Sequence, residues 1–502
     1  MTPMLPSGNR AHPTGHPLGG GPGTRRSCGW RDNPGFQVAG SPRCLGAKSS
    51  RLRLRLTLIG LASVLGYASI IARITGHPVF LRWGFPQTDF LGIYLLHFFP
   101  LLFLALVGAW WVFRTGEDDL PTLGVILGFA LVFRLLLLPT PPVLSSDIFR
   151  YVWDARMQAS GVNPYLSAPA DFQGEAVRKD PLYHQQNRPF ARTIYPPLAQ
   201  AAFRSVGAVA GENMTAMKGF MLLGDLATFA ILMCLLNALG IPRTRIILYA
   251  WHPLTVFEIS GSGHVDALAM PFILLALLAW RRGWNGASGA ALGAATLVKI
   301  FPIVLLPALL GRRRWTLLFA CAVTIGLAYL PWLPSAGLKV LGHLPRFLSD
   351  PGETFNPSLM GAVSLVLGRF TQAPLVWASW IGSAAIAATC LWLLRSEADS
   401  FEALLARIWR VATAVTVCTL TVHPWYLLWL LPLLVIRPRK AWLYLTGVIS
   451  VSYIFYVVSP SARALIGGLE YLPFLLLLCW ERWPPEIPAL PAARLGLVRE
   501  IP

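Results

Sequence analysis

Long apolar runs broken by short polar ones set the pattern of this chain. From Leu56 onward the runs recur at about 18 residues or more, the length at which a helix crosses roughly 30 Å of hydrocarbon. They predict spans near residues 56–73, 90–113, 121–139, 218–240, 243–260, 265–281, 315–333, 374–395, 404–422, 424–437, 440–458 and 464–480. The expected fold class is all-α and polytopic, a bundle of about 12 transmembrane helices. Residues 1–50 are rich in Gly, Pro, Ser and Arg without apolar period, and are expected to be a disordered basic cytoplasmic tail. Residues 51–482 are then the membrane domain, with 140–217 a large extracytoplasmic loop, and 483–502 a Pro-rich cytoplasmic tail. "RLRLRLTLIGLASVLGYASII" reads as an uncleaved anchor, because no small-residue cleavage site follows it closely.

One segment departs from simple crossing. "RRGWNGASGAALGAATLVKIFPIVLLPALLGRRRW" is basic at both ends, so a single crossing would carry Arg312, Arg313 and Arg314 to the side that the other loops keep poor in cations. A re-entrant hairpin avoids this: two half-length helices meet near Lys299-Ile300-Phe301-Pro302, and the Gly/Ala-rich first half packs closely. Lys299 then stands at depth, where a charge costs a few kcal/mol. It either snorkels to an interface or lines a cavity that holds an anion.

Composition agrees with a membrane protein. Apolar residues make up 55% and charged ones 13%, too few polar groups to cover a soluble protein of this length. The net charge of +19 points at first to nucleic acid, but the basic residues lie in short segments between apolar runs, as orientation signals do. No nucleic-acid partner is expected. With the N-terminus in the cytoplasm, alternation places "RTGEDD", "IPRTR", "RRGWN", "LLRSEADSFEALLAR", "IRPRK" and "ERW" inside, and "GSGHVD", "ETFNPS" and "VHPWY" outside with the large loop. The seven cysteines, Cys28, Cys44, Cys234, Cys321, Cys390, Cys418 and Cys479, show no disulfide or zinc spacing and read as packing residues.

Residues 140–217 are too many for a connector. In "SSDIFRYVWDARMQASGVNPY" a helix over Asp147–Ser160 puts Asp147, Arg150, Tyr151 and Asp154 on one face. Ile148, Val152 and Ala155 face elsewhere, as in an interfacial helix anchored by Ile148, Phe149 and Trp153. "TIYPPLAQAAFRSVGAVAG" is a second such helix, opened by Pro196-Pro197. Together they are expected to roof a cavity at the membrane surface. The other outer loops add His264 and Asp266, Glu353 and Asn356, and His423, Trp425 and Tyr426, all on the same side. His264 and Asp266 offer two metal ligands without a recognisable third. No glycine loop for nucleotide phosphates is present, so an activated substrate is expected to arrive already on the membrane.

The segments "SSDIFRYVWDARMQASGVNPY", "TIYPPLAQ", "WHPLTVFEISGSGHVDALAM", "GAATLVKIFPIVLLP", "FNPSL" and "VHPWYLLWLLPLL" follow one another in an order that resembles the GT-C superfamily of integral-membrane glycosyltransferases. Within it the likeness is to bacterial and archaeal polyprenyl-phosphate-mannose-dependent mannosyltransferases of the glycosyltransferase family 87 type, over roughly residues 120–440. The resemblance implies a GT-C-like bundle, a polyprenyl-phosphate mannose donor, transfer on the extracytoplasmic face and inversion at the anomeric carbon. It also implies an acidic residue early in the first large outer loop, which here is Asp147. The chain departs from the simplest family pattern by about two extra spans before that loop, an even number that keeps the loop outside.

The chemistry asks for the same residues. Inverting transfer needs a base on the acceptor hydroxyl, worth typically 10²–10⁴-fold, and cations where the leaving phosphate gains charge. Asp147 is the expected base, with Asp154 its rival or an orienting partner of Arg150. Arg150, Arg156 and Lys299 are the candidate cations for the donor phosphate, with His264 and His423 as hydrogen-bond donors. Tyr151, Tyr195, Asp266, Asn356, Trp425 and Tyr426 are candidate substrate-lining residues, and Asp225 is either a residue that supports the site or binds the acceptor, or a helix–helix hydrogen bonder. No cofactor is expected beyond the lipid-linked sugar, and a divalent metal is left open. The expected partners are membrane lipids, the polyprenyl-phosphate sugar and a glycolipid or glycan acceptor. The expected place is a bacterial inner membrane, with both termini cytoplasmic. The competing reading is a lipid or polysaccharide transporter or flippase, whose broken helices and re-entrant element it would share; a non-catalytic assembly subunit is a third.

Overall fold

The computed structural model describes residues 42–75, 88–172, 174–310, 315–344 and 353–481. It divides into Met1–Ala47, of which only the opening of a helix is described, and Lys48–Pro502. The chain forms helices α1 (Pro42–Thr75), α2 (Thr88–Thr115), α3 (Leu120–Leu137), α4 (Asp147–Ala159), α5 (Pro197–Ala210) and α6 (Met214–Ala238). There follow α7 (Asp266–Arg281), α8 (Asn285–Val298), α9 (Trp315–Tyr329), α10 (Pro374–Leu393), α11 (Phe401–Cys418) and α12 (Pro460–Trp480), with shorter helical turns between. Among the described residues the one extended contact is a parallel bridge between Phe355 and Thr421. The first helix begins at Pro42, inside the stretch expected to be a tail; residues 1–41 and the expected tail from 483 lie outside the described residues.

Seven helices among the described residues are long and apolar enough to cross a membrane: Ser49–Thr75, Phe90–Thr115, Leu120–Leu137, Met214–Ala238, Trp315–Leu341, Pro374–Leu393 and Ala462–Trp480. The other expected spans are short or broken. Residues 243–260 are cut at His252-Pro253, and Pro424–Ile436 combines a 3₁₀ segment with a six-residue α segment. α7 has 16 residues, and α11 carries Glu402, Arg407 and Arg410. Proline removes an N–H and breaks the helical ladder, which is tolerated at membrane depth only inside protein. Accordingly, every residue from Leu427 to Ile436 is buried.

The segment after α7 does turn back. α8 starts beside the C-terminal end of α7 and ends at Lys299, whose ammonium reaches Asp266 at the N-terminal end of α7 (2.6 and 2.8 Å). Phe301–Leu309 then descends, and Trp280 Nε1 donates to the Leu309 carbonyl at 3.1 Å, back at the starting level. Arg407 closes the descending limb by donating to the carbonyls of Pro307, Ala308 and Leu310. Helix ends leave such carbonyls unpaired. Close packing against α9 depends on Gly289, where a Cβ would lie 2.0 Å from the Leu317 carbonyl oxygen. Arg312, Arg313 and Arg314 lie outside the described residues.

Two clusters mark the opposite ends of the bundle. At one, Arg53 pairs with Asp119 (3.1 Å) and Arg243 with Asp118 (3.2 Å), joining segments expected on one membrane side. Between the ends, Arg134 of α3 is sealed against Asp225 of α6, with further bonds to the carbonyls of Ala130 and Ala250 and to Thr255. Tyr249 donates to the same carboxylate. Asp225 is thus a helix–helix hydrogen bonder. The candidate residues gather at the other end.

Candidate functional site

α4 and α5 pair as the spacing predicts, but α4 is not an exposed interfacial helix. Ile148 through Ala155 are all buried, because the rest of the loop folds over them. Trp153 packs on Phe172 and Tyr183 of that loop. Arg150 donates to Asp154 (2.8 Å) and to the Ala191 carbonyl (2.8 Å), while Asp154 also accepts from Gln200 (2.8 Å). This corrects the picture of a face presenting arginines to a cavity: the Arg150–Asp154 pair is an internal brace. Arg156 lies nine residues beyond Asp147 in α4, about 13 Å along the axis, where it pairs with Asp180 and Glu212 and covers Trp153. The fold does not bring Arg156 to Asp147.

Asp147 itself occupies the first turn of α4, where the helix dipole favours an anion. Its Oδ1 accepts from Asn187 Nδ2 (3.0 Å), and its Oδ2 lies 3.7 Å from His264 Nδ1. Burial pushes its carboxyl above the usual aspartate range, against the pull of Lys299, Asn187 and Arg188, while Asp266 adds to the rise. Asp266 likewise starts a helix, α7, and holds Lys299 at the C-terminal end of α8. An anion at a helix N-terminus thus faces a cation at a C-terminus, the arrangement both dipoles favour. Asp147 and Lys299 keep side-chain exposures of 20% and 19%, whereas Asp266 and His264 are buried. The open edge of the cluster is therefore one carboxylate and one ammonium.

Aromatic rings wall this edge. Phe355, His423, Trp425 and His264 stack in succession, with centroids 4.3, 4.3 and 4.0 Å apart. The Tyr426 ring lies under Lys299 at 4.8 Å. On the α4 side Tyr151 stacks on Phe203 of α5 (4.5 Å) and meets Tyr195 edge-on (5.0 Å). The backbone that carries His264 comes close only because Gly263 has no side chain: its φ is +79°, and a Cβ there would meet Ile148 and Lys218 at 2.8 and 2.9 Å.

Asp147, His264, Asp266, Lys299, His423, Trp425 and Tyr426 are therefore brought together, with Tyr151 and Tyr195 behind them. Asn356 is turned away: its amide donates to Glu470 of α12 (2.6 Å), and its φ of +48° shapes the bend beside Phe355. Three residues went unnoticed in the sequence. Asn187 and Arg188 sit in an aperiodic loop, where spacing gives no signal; Arg188, at φ +52°, pairs with Glu353. Glu258 stands 3.3 Å from His264 Nε2. It was legible, since an acid inside "WHPLTVFEIS" is an ionisable residue in an apolar run.

Residues 57–312 match the family model described as alpha-(1->6)-mannopyranosyltransferase, N-terminal domain, which is just over half of the chain. Among curated proteins, the chain is similar to alpha-(1->6)-mannopyranosyltransferase B of Corynebacterium glutamicum, 23% identical over 384 residues. That alignment takes in 66% of this chain and 62% of the relative. No solved structure matches the chain.

Proposed function

The chain belongs to the alpha-(1->6)-mannopyranosyltransferase family, and from that premise we propose that it transfers mannose from a polyprenyl-phosphate donor to a glycolipid or glycan acceptor on the extracytoplasmic face of a bacterial inner membrane. The observation that carries the reading is the open edge of the cluster, where the partly exposed Asp147 carboxylate lies within electrostatic reach of the partly exposed Lys299 ammonium that Asp266 holds. In this reading the acceptor hydroxyl loses its proton to Asp147 as its oxygen bonds to C1 of the sugar. The C1–O bond to the phosphate breaks on the opposite face of the ring. Inversion yields an α-linked product from a β-linked donor, and the family name supports an α-(1→6) linkage. Lys299 and Arg188 stand where the leaving phosphate gains charge, and such pre-placed charges need no rearrangement as the bond breaks. The stacked rings turn their edges to the sugar, since their faces lie against one another.

The test is transfer of labelled mannose from polyprenyl-phosphate mannose into membranes that carry the native chain or Asp147→Asn. At equal expression Asp147→Asn is expected to lose at least 10²-fold, the low end of what a positioned base contributes. Transfer that survives Asp147→Asn but fails in Asp154→Asn at equal folded yield would overturn the assignment. Because side chains are given the charge-neutralising role, EDTA is expected to leave the rate unchanged; a loss restored by Mg²⁺ or Mn²⁺ would reassign it.

A further inference from the structure

Glu258 has no part in the transfer drawn above, yet its position is unusual. It lies in a π-helical turn, Val256–Gly261, and is fully buried. Such turns inside helical stretches are frequent at functional sites. Its carboxylate accepts from the Tyr453 hydroxyl (2.8 and 3.0 Å) and stands 3.3 Å from His264 Nε2. The other ring nitrogen of His264 stands 3.7 Å from Asp147 Oδ2. The imidazole is buried with one face on Trp425, so it is a fixed bridge between a carboxylate open to the site and one sealed from it. The other charged and titratable groups around this bridge are Lys299 at the end of α8, Asp266 two residues along, His423 beyond Trp425, Arg188 acting on Asp147, the tyrosines Tyr151, Tyr195 and Tyr426 near Asp147, Tyr94 near Glu258, and Tyr456 near both. Burial, then Lys299 and His423, hold the ring well below its usual pKa, so it is neutral and carries one proton.

We propose that Glu258 is a positioning residue that fixes His264 as its Nε2–H tautomer, so that the Nδ1 lone pair accepts a hydrogen bond from Asp147 only after Asp147 has taken the acceptor's proton. The inference rests on the reading of Asp147 as the base. A buried carboxylate takes the N–H of a neighbouring imidazole and thereby decides which nitrogen is bare. A bare nitrogen facing a carboxylate makes no bond, and the 3.7 Å gap is too long for one. Once the acceptor O–H has broken and an Asp147 O–H has formed, that O–H points at a lone pair already in place. No proton leaves His264 or Glu258. The bond forms only as the proton moves, so it stabilises the transition state over the ground state.

The experiment is the pH dependence of mannose transfer by the full chain, with labelled polyprenyl-phosphate mannose, for Glu258→Gln, His264→Ala and the double variant. Glutamine presents an amide donor as readily as an acceptor, which frees His264 to turn its N–H toward the Asp147 carboxylate and weaken that base. Glu258→Gln is expected to lower kcat about tenfold, the worth of one such bond. It should also move the acid limb of the profile to lower pH, with the donor KM within about twofold. In the His264→Ala background, adding Glu258→Gln should lower kcat no further, because the hydrogen bond is made through the ring, and the limb should move only by the direct repulsion between the Glu258 and Asp147 carboxylates. A limb that moves in Glu258→Gln no more than it does when the same change is made in the His264→Ala background, or a further fall in kcat in that background, overturns the proposal. Should Glu258→Gln fail to fold, Glu258→Asp draws the carboxylate back by one methylene and is expected to shift the limb in the same direction by less. Continued dependence on Asp147 with an unmoved limb sinks this inference alone, while full activity of Asp147→Asn sinks the base assignment itself.

Discussion

At the residue scale, the site turns on how each carboxylate is accompanied. Among the described residues Asp147 is held by one amide and by no direct ion pair with Lys or Arg, and burial lifts its carboxyl above the ordinary value. The working form of a base is the carboxylate, so transfer should rise as pH climbs through that raised pKa. Asn187→Ala removes a hydrogen bond that favours the charged form. Its acid limb is therefore expected at still higher pH than in the native chain, which a pH–rate profile will read directly. Asp154, only two turns on, is the opposite case, a buried anion spent on Arg150. Asp154→Asn strands a buried guanidinium, and breaking such a pair costs about 3–5 kcal/mol. The loss should therefore show in folded yield and Tm, while the acid limb of the folded fraction stays in place.

At the scale of elements, the site is built from helix ends. The N-terminal ends of α4 and α7 and the C-terminal end of α8 meet with their charges matched to their dipoles. The loop Gly261–Val265 delivers His264 by passing against Ile148 in a left-handed conformation at Gly263. An L-residue there costs about 1–2 kcal/mol in backbone strain alone. Gly263→Ala should consequently lower Tm modestly while displacing His264, and its kcat should fall more than its stability does. Within the bundle, the Arg134–Asp225 pair ties α3 to α6 and the turn at Thr255. Asp225→Leu should be strongly destabilising, by roughly 3–5 kcal/mol, and adding Arg134→Met should recover most of the loss, since both charges are then gone.

At the scale of the molecule, the hairpin decides which end of the chain's later half lies where. α8 rises beside α7 and the chain descends again to Trp280. Cysteines placed at Gly283 and Leu310 should therefore be labelled by a membrane-impermeant reagent from one and the same side. A cysteine at Phe190, in the exposed part of the large loop, should be labelled from the other. Opposite labelling of Gly283→Cys and Leu310→Cys would contradict the hairpin.

Apolar run length alone determined that the chain is helical and membrane-bound: of the two structures that satisfy the backbone in hydrocarbon, the helix and the closed barrel, only the helix needs continuous apolar runs of about 18 residues or more. Basic residues at both ends of the segment after α7 were enough to read its turn near Lys299, and helical spacing was enough to place α4 and α5. Spacing also gathered Asp147, Arg150 and Asp154 onto one face but could not say which of them would find partners. Only the tertiary structure decided that Arg150 is consumed by Asp154, that Arg156 lies remote, and that Asn187, Arg188 and Glu258 stand beside the candidates. Whether a proline-broken run such as Pro424–Ile436 crosses lipid or hides inside protein depends on what surrounds it, and a one-dimensional pattern carries no information about neighbours distant in sequence.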